Sequence, residues 1–154
     1  MKIEIKPAYD DIGTVIELFE EYTKRLGFDL SFQNYRQELE SLPGKYSLPE
    51  GRLYIVFCNG EPAGCVAMRP FGAGCCELKR LYVRPRFRGL GLGRMAVERI
   101  IEDAKELKYK KIYLDTHKSF ESANALYKKL GFKTIGAYYD NPLDGVVYFS
   151  LDLA

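Results

Sequence analysis

Between residues 76 and 107 the hydropathy pattern changes period, and the change runs through glycine and arginine. Cys76-Glu77-Leu78-Lys79-Arg80-Leu81-Tyr82-Val83 reads as a strand, whereas Leu92, Ala96, Ile100, Ala104 and Leu107 recur at helical spacing. Arg86-Phe87-Arg88-Gly89-Leu90-Gly91-Leu92-Gly93-Arg94 joins the two. A strand feeding a helix through such a loop restricts the fold to a sheet with a helix laid across one face. The first N–H groups of that helix are unpaired donors at the positive end of its dipole, and glycines let an anion approach them. On the residues alone two readings stand: an anion site, and a tight turn with a solvated basic rim.

The flanking segments extend the sheet. Residues 1–5 alternate like a strand, and Asp10 or Asp11 can cap a helix with Ile12, Val15, Ile16, Phe19 and Tyr22 on one face, ending at Gly27. A second helix is predicted from Phe32 to Leu42. Residues 53–58 and 64–69 form a hairpin, because Asn59-Gly60 supplies the two positive-φ positions of a type I′ turn. A buried strand follows at 111–115. Ser119 can then cap a helix that carries Phe120, Ala123, Leu126, Tyr127 and Leu130 inward and stops at Gly131. Strands at 132–139 and 145–153, joined through Asp140-Asn141-Pro142, close the chain. This order predicts one α+β domain over residues 1–154, with a central mixed, mostly antiparallel sheet flanked by helices and one strand–helix–strand crossover in its second half.

Charge narrows the partners. A net charge of +2 over 154 residues predicts neither nucleic acid nor a membrane as partner, although Arg84, Arg86, Arg88 and Arg94 stand together without an acid among them. No apolar run approaches the roughly 18 residues of a membrane span, and the N-terminus lacks a signal-peptide pattern, so a cytoplasmic location is expected. Four cysteines without C-x-x-C spacing and the single histidine, His117, predict no metal site. Cys75-Cys76 is read as a pair of small buried hydrophobes.

Three phosphate-binding patterns compete for the loop. A Walker A loop needs Gly-Lys-Ser/Thr where this chain has Gly93-Arg94-Met95. The dinucleotide fingerprint G-x-G-x-x-G/A matches formally at Gly91, Gly93 and Ala96, with Asp115 near the place of a ribose-binding acid. It is disfavoured because residues 84–88 separate strand from glycines, and because a hairpin joins the preceding strands. In the third pattern, Arg88-Gly89-Leu90-Gly91-Leu92-Gly93 fits R/Q-x-x-G-x-G/A, and Ala123-Asn124-Ala125-Leu126-Tyr127-Lys128-Lys129-Leu130-Gly131-Phe132 fits A-x-x-L-Y-x-x-L-G-F.

Those two segments, in this order and separation, resemble the GNAT family of N-acetyltransferases, and the element order agrees with it over nearly the whole chain. The resemblance implies a GNAT-type fold, acetyl-CoA as co-substrate, no metal, and a small amine or a peptide amine as acceptor. It places the pyrophosphate on the backbone amides of Gly89, Leu90, Gly91, Leu92, Gly93 and Arg94, with Arg88 also among the cofactor-binding residues. The pantetheine arm then lies along Leu81, Tyr82 and Val83, whose backbone groups can pair with it as a further strand would. Phe120 departs from the family pattern, in which many members carry an asparagine that contacts the cofactor; Asn124 is out of register for that role. A reading from another class is an acyl-CoA-binding sensor that turns nothing over.

Acetyl transfer to an amine needs a neutral nitrogen and a protonated leaving thiolate. An alkyl amine with a pKa near 10.4 is only about 0.04% neutral at pH 7, so a base is useful. The resemblance points to Glu77, on the strand leading to the loop. By periodicity Glu77 and Lys79 share one face and Arg80 the other, and a surface Glu77–Lys79 pair is the competing reading. Tyr127 is the candidate acid, protonated at pH 7 and close in pKa to the leaving thiol. No cysteine has a histidine at a suggestive spacing, so direct attack is expected over an acyl-enzyme. The early helices, the strand with Glu77 and the loop from Tyr138 to Pro142 are expected to contact the acceptor, with Tyr22, Tyr35, Tyr138 and Tyr139 able to line an aromatic pocket. A homodimer through the last strands is compatible with the sequence.

Overall fold

The computed structural model describes residues 1–27 and 34–153. In chain order the elements are β1 (Ile3–Pro7), α1 (Ile12–Leu26), α2 (Tyr35–Ser41), β2 (Arg52–Cys58), β3 (Glu61–Pro70), β4 (Cys75–Val83), α3 (Leu92–Glu106), β5 (Lys111–His117), α4 (Glu121–Lys129), β6 (Lys133–Ile135) and β7 (Val146–Asp152). The strands form one sheet in the order β1-β2-β3-β4-β5-β7-β6. Only β4 and β5 run parallel, and α3 makes the crossover between them, as the sequence pattern required. Among the described residues no helix is long and apolar enough to cross a membrane.

Local chemistry sets most boundaries. The Asp11 carboxylate accepts the Thr14 N–H at 3.4 Å to start α1, and Gly27, at φ 71°, ends it with its own N–H on the Thr23 carbonyl. The buried stripe of α1 is Val15, Leu18 and Phe19; Leu18 replaces the half-buried Ile16 of the expected pattern. In the second predicted helix, Phe32 and Gln33 lie outside the described residues. Asn59 and Gly60 take φ 51° and 81°, the positive pair that closes the β2–β3 hairpin.

The two faces of the sheet carry separate cores. Val56, Val66, Met68 and Leu78 pack beneath Ala96, Val97 and Ile100 of α3 and around Tyr127 and Phe149. Leu53, Ile55, Cys65, Ala67 and Tyr82 pack beneath Val15, Leu18 and Phe19 of α1 and around Tyr46.

The structure corrects three sequence expectations. Cys65 faces Tyr82 while Ala67 faces Lys79, so two residues of β4, Arg80 and Leu81, oppose the single Val66. This is a β-bulge, with Arg80 at φ 58°. It turns Arg80 onto the face of Glu77 and Lys79, where alternation had placed it opposite. Second, β6 pairs only over Lys133–Ile135, because Tyr138 and Tyr139 leave the sheet to reach carboxylates on β4 and β5. Third, Ser119 does not cap α4. Phe120 holds the cap position without a side-chain bond, and the Ser119 hydroxyl lies 2.7 Å from His117 Nδ1.

Close approach of β3 to β4 at the bulge depends on Gly64, where a Cβ would lie 2.3 Å from the Tyr82 carbonyl oxygen. Urea denaturation should show Gly64→Ala losing about 3 kcal/mol or more, the upper range for overpacking. Gly13→Ala, in α1 with nothing within 4 Å of the added carbon, should gain about 0.5–1 kcal/mol.

Candidate active site

The pairing of β4 with β5 ends at Glu77↔Tyr113, six residues before the end of β4. Beyond it the strands part around a cavity of about 680 Å³. Arg84 donates its N–H to the Ala63 carbonyl at 2.8 Å, which makes it a hydrogen-bonded position facing β3. By antiparallel alternation the N–H and C=O of Val83 therefore turn away from β3, into the gap. Leu81, Tyr82 and Val83 line this gap.

The glycine loop closes one end. Gly89 and Gly91 take φ 79° and 81°, and no atom would lie within 4 Å of a Cβ at either, so conformation rather than crowding selects glycine there. Gly91 is the N-cap of α3 and caps nothing with a side chain; the first intrahelical bond is Met95 N–H to its carbonyl, 3.1 Å. The N–H groups of Leu92, Gly93 and Arg94 are left at the helix start without helical partners. Arg88, Gly89, Gly91, Leu92, Gly93 and Arg94 all border the cavity, whereas Leu90 does not and is 40% exposed.

The four arginines are not one basic rim. Arg84 is held by Glu21 and Glu17 of α1, each at 2.7 Å from Nη2, and Arg86 pairs with Glu61. These acids are distant in sequence, which is why the local run looked uncompensated. Arg88 instead places Nε and Nη2 at 3.0 and 2.9 Å from the Val83 carbonyl oxygen, tying the loop to the open end of β4.

Tyr127 of α4 also borders the cavity, its ring packed on Phe132 and Phe149 at 5.7 Å each. Burial, then the proximity of Tyr22 and Asp115, pushes its pKa well above the usual tyrosine value, so the hydroxyl stays protonated but is no longer close in pKa to a leaving thiol, as the sequence had suggested. Phe120 lines the same wall. Asn124 does not: its amide donates to the His117 carbonyl at 3.0 Å.

Glu77 lies behind the cavity wall. It is 1% exposed, accepting from Arg69 Nε at 2.9 Å and from the Tyr138 hydroxyl at 2.5 Å, with Lys79 Nζ at 3.9 Å. The competing surface-pair reading fails, because both Glu77 and Lys79 are buried. Burial lowers the Lys79 pKa, with Glu77 pulling it back up, Arg80 adding to the fall and Asp115 opposing it. Arg80 makes a two-point contact with Glu38 of α2, at 2.9 and 3.0 Å, with Lys45 at 3.3 Å from the same carboxylate. Periodicity could not find these partners, since they come from α2 and from the segment after it.

Tyr138 and Tyr139 do not form an open aromatic pocket. Tyr138 packs against Phe71, Tyr113, Tyr139 and Tyr148 with ring centroids 4.8–5.4 Å apart, and Tyr139 donates to Asp115 at 2.6 Å. Asp115, which the sequence singled out only in the disfavoured dinucleotide reading, lines the cavity together with Lys79, Arg80 and Tyr22. Burial pushes the Tyr22 hydroxyl up to about 12. Among the described residues no group of three or more His, Cys, Asp or Glu is placed to hold a metal.

Residues 14–132 match the model of the acetyltransferase (GNAT) family. An uncharacterized N-acetyltransferase of Schizosaccharomyces pombe is 45% identical over 146 residues, covering 94% of this chain and 90% of that protein. A GNAT-family acetyltransferase of Staphylococcus aureus superposes with a TM-score of 0.79 at 21% identity, over 99% of this chain and 100% of that one. A GNAT acetyltransferase of Elizabethkingia anophelis, solved with acetyl-CoA bound, superposes with a TM-score of 0.71 at 25% identity, over 98% of both chains.

The Glu38 carboxyl yields a pH test. Burial alone would raise its pKa, but the charges of Arg80 and Lys45 outweigh burial and hold it below the ordinary value. A depressed carboxyl contributes stability that is present above its unfolded pKa and lost as pH falls through the folded one. Glu38→Gln should therefore cost about 3 kcal/mol at pH 7, and the difference from the parent should shrink as pH falls below about 4.5 in urea titrations.

Proposed function

The chain belongs to the acetyltransferase (GNAT) family, a family of acyl-CoA-dependent N-acetyltransferases, and from that premise we propose that it transfers the acetyl group of acetyl-CoA to a primary amine of a small molecule or peptide. One observation carries the reading. A single cavity joins the open end of β4, the glycine loop at the start of α3 and Tyr127.

The wall suits acetyl-CoA, which supplies the activated acyl group. Diphosphate oxygens match the free N–H groups of Leu92, Gly93 and Arg94, and the open space beside Gly89 and Gly91 admits them. The outward N–H of Val83 matches a carbonyl of the pantetheine arm, as an added strand would, while the Val83 C=O already accepts from Arg88. Arg88 bridges these two regions rather than adding a separate phosphate ligand.

Tyr127 holds a proton in the cavity wall, at a hydroxyl that stays neutral at physiological pH, and can give it to the leaving sulfur. Direct attack is the simpler route, because no cysteine lines the cavity and burial raises the thiol pKa of Cys65 and Cys76. Glu77 does not border the cavity, and its neighbour Lys79 does, which suits a fixed counter-charge better than a base in contact with substrate.

A screen of alkylamines, amino acids, polyamines, aminoglycosides, arylamines and peptides, reading free thiol, should find acetylated acceptors; binding of acetyl-CoA without turnover of any of them would instead favour a sensor. Tyr127→Phe should leave acetyl-CoA affinity within about two-fold and lower kcat about 10²-fold, measured by calorimetry and single-turnover kinetics. Gly91→Val should fold but bind acetyl-CoA at least about ten-fold more weakly, because valine is strained at φ 81°.

A further inference from the structure

We propose that Lys79 is a self-acetylation site: with acetyl-CoA bound and no acceptor in the cavity, its Nζ takes the acetyl group, and the modified protein is closed to acceptors. The inference rests on the transferase reading and goes beyond it, from the reaction to a built-in brake. Among the described residues Lys79 is the one lysine that borders the cavity shared by Leu81–Val83, the glycine loop and Tyr127.

An acyl arm anchored at the start of α3 and laid along Val83 and Leu81 runs back down β4, so its thioester end comes to the stretch that carries Arg80 and Lys79. The bulge sets both side chains on one face. They differ as nucleophiles. The Arg80 guanidinium is gripped at two points by Glu38, and a guanidinium keeps its proton. The Lys79 side chain is 7% exposed, with Nζ 3.9 Å from Glu77 Oε1 and 3.9 Å from Asp115 Oδ1. These two carboxylates hold the amine where β4 and β5 part. Burial lowers its pKa; of the charges that face it, Glu77 opposes the fall, Arg80 deepens it, Asp115 opposes it and Lys45 deepens it. An amine so placed gives up its proton more readily than a lysine on the surface.

The step balances without a further reagent. The Lys79 ammonium releases one proton to solvent, and the freed nitrogen lone pair forms the C–N bond to the acetyl carbon as the C–S bond breaks. Tyr127 gives its hydroxyl proton to sulfur and recovers the second nitrogen proton. The products are Nζ-acetyl-Lys79, the free thiol of CoA and one proton. The amide carries no charge, so Glu77 and Asp115 lose the cation between them. The acetyl group also fills volume beside the thioester that an acceptor must enter. The protein therefore idles when acetyl-CoA is abundant and acceptor is scarce.

The test uses the full chain, acetyl-CoA and peptide mapping by mass spectrometry. Without acceptor, Lys79 should gain one acetyl group at a rate that saturates as acetyl-CoA binding saturates. Dilution of the protein should leave that rate unchanged, because the reaction is unimolecular within the complex. Surface lysines should instead be modified in proportion to acetyl-CoA concentration. A saturating amount of the best acceptor from the amine screen should suppress the Lys79 modification at least about ten-fold. Preincubation with acetyl-CoA alone should lower the later rate on that acceptor in proportion to the fraction of Lys79 modified. Lys79→Arg, which keeps the charge, should abolish that loss; if this variant does not turn over, mapping and preincubation of the parent decide. A Lys79 that stays unmodified, or that is modified only as a surface lysine is, overturns the inference and leaves the transferase reading standing. So does a modified Lys79 with an undiminished later rate. A parent that binds acetyl-CoA but acetylates neither Lys79 nor any amine of the screen overturns both.

Discussion

The active cavity exists because β4 and β5 stop pairing after Glu77↔Tyr113 while both strands continue. Unpaired backbone groups inside a fold are costly unless something satisfies them. Everything else at the site answers to that gap. The glycine loop leaves β4 at its open end, α3 turns its free N–H groups toward the same space, and α4 brings Tyr127 to the wall.

The bulge at Arg80 is what makes the gap polar on one side. It stacks Glu77, Lys79 and Arg80 on a single face of a central strand, all of them buried. Burial of so many charges is tolerable only with partners, and these arrive from several elements: Glu38 for Arg80, Arg69 and Tyr138 for Glu77. The chain departure after Ile135, which shortens β6, belongs to the same account, because it delivers Tyr138 to Glu77 and Tyr139 to Asp115.

Periodicity and caps were legible where the forces are local. The Asn59-Gly60 hairpin, the Asp11 cap, the Gly27 stop and the crossover through α3 all follow from neighbours in sequence. The loop was legible as a strand-to-helix turn leading into α3 for the same reason. What alternation could not reveal was the bulge, since one extra residue on β4 is decided by pairing with β3 and by the missing side chain of Gly64. Nor could it show that Arg84 and Arg86 are neutralised by Glu17, Glu21 and Glu61, or that Ser119 would be claimed by His117. That Asp115 borders the cavity was not visible, because its position depends on where two strands separate.

A strand whose outer groups are unpaired is also a template on which any extended chain can grow, and here that template is kept inside the molecule. Arg88 folds back and covers the Val83 carbonyl with two N–H groups. Leu126 and Tyr127 of α4 border the same cavity. One outer edge of the sheet, at β1, carries Lys2, Glu4 and Lys6 in ion pairs and ends in Pro7, features that discourage strand addition. The sheet thus has an open stretch of edge in its interior, at the end of β4, and a guarded one outside, at β1, so that strand addition is discouraged at β1 while the interior stretch stays screened from other copies of the chain.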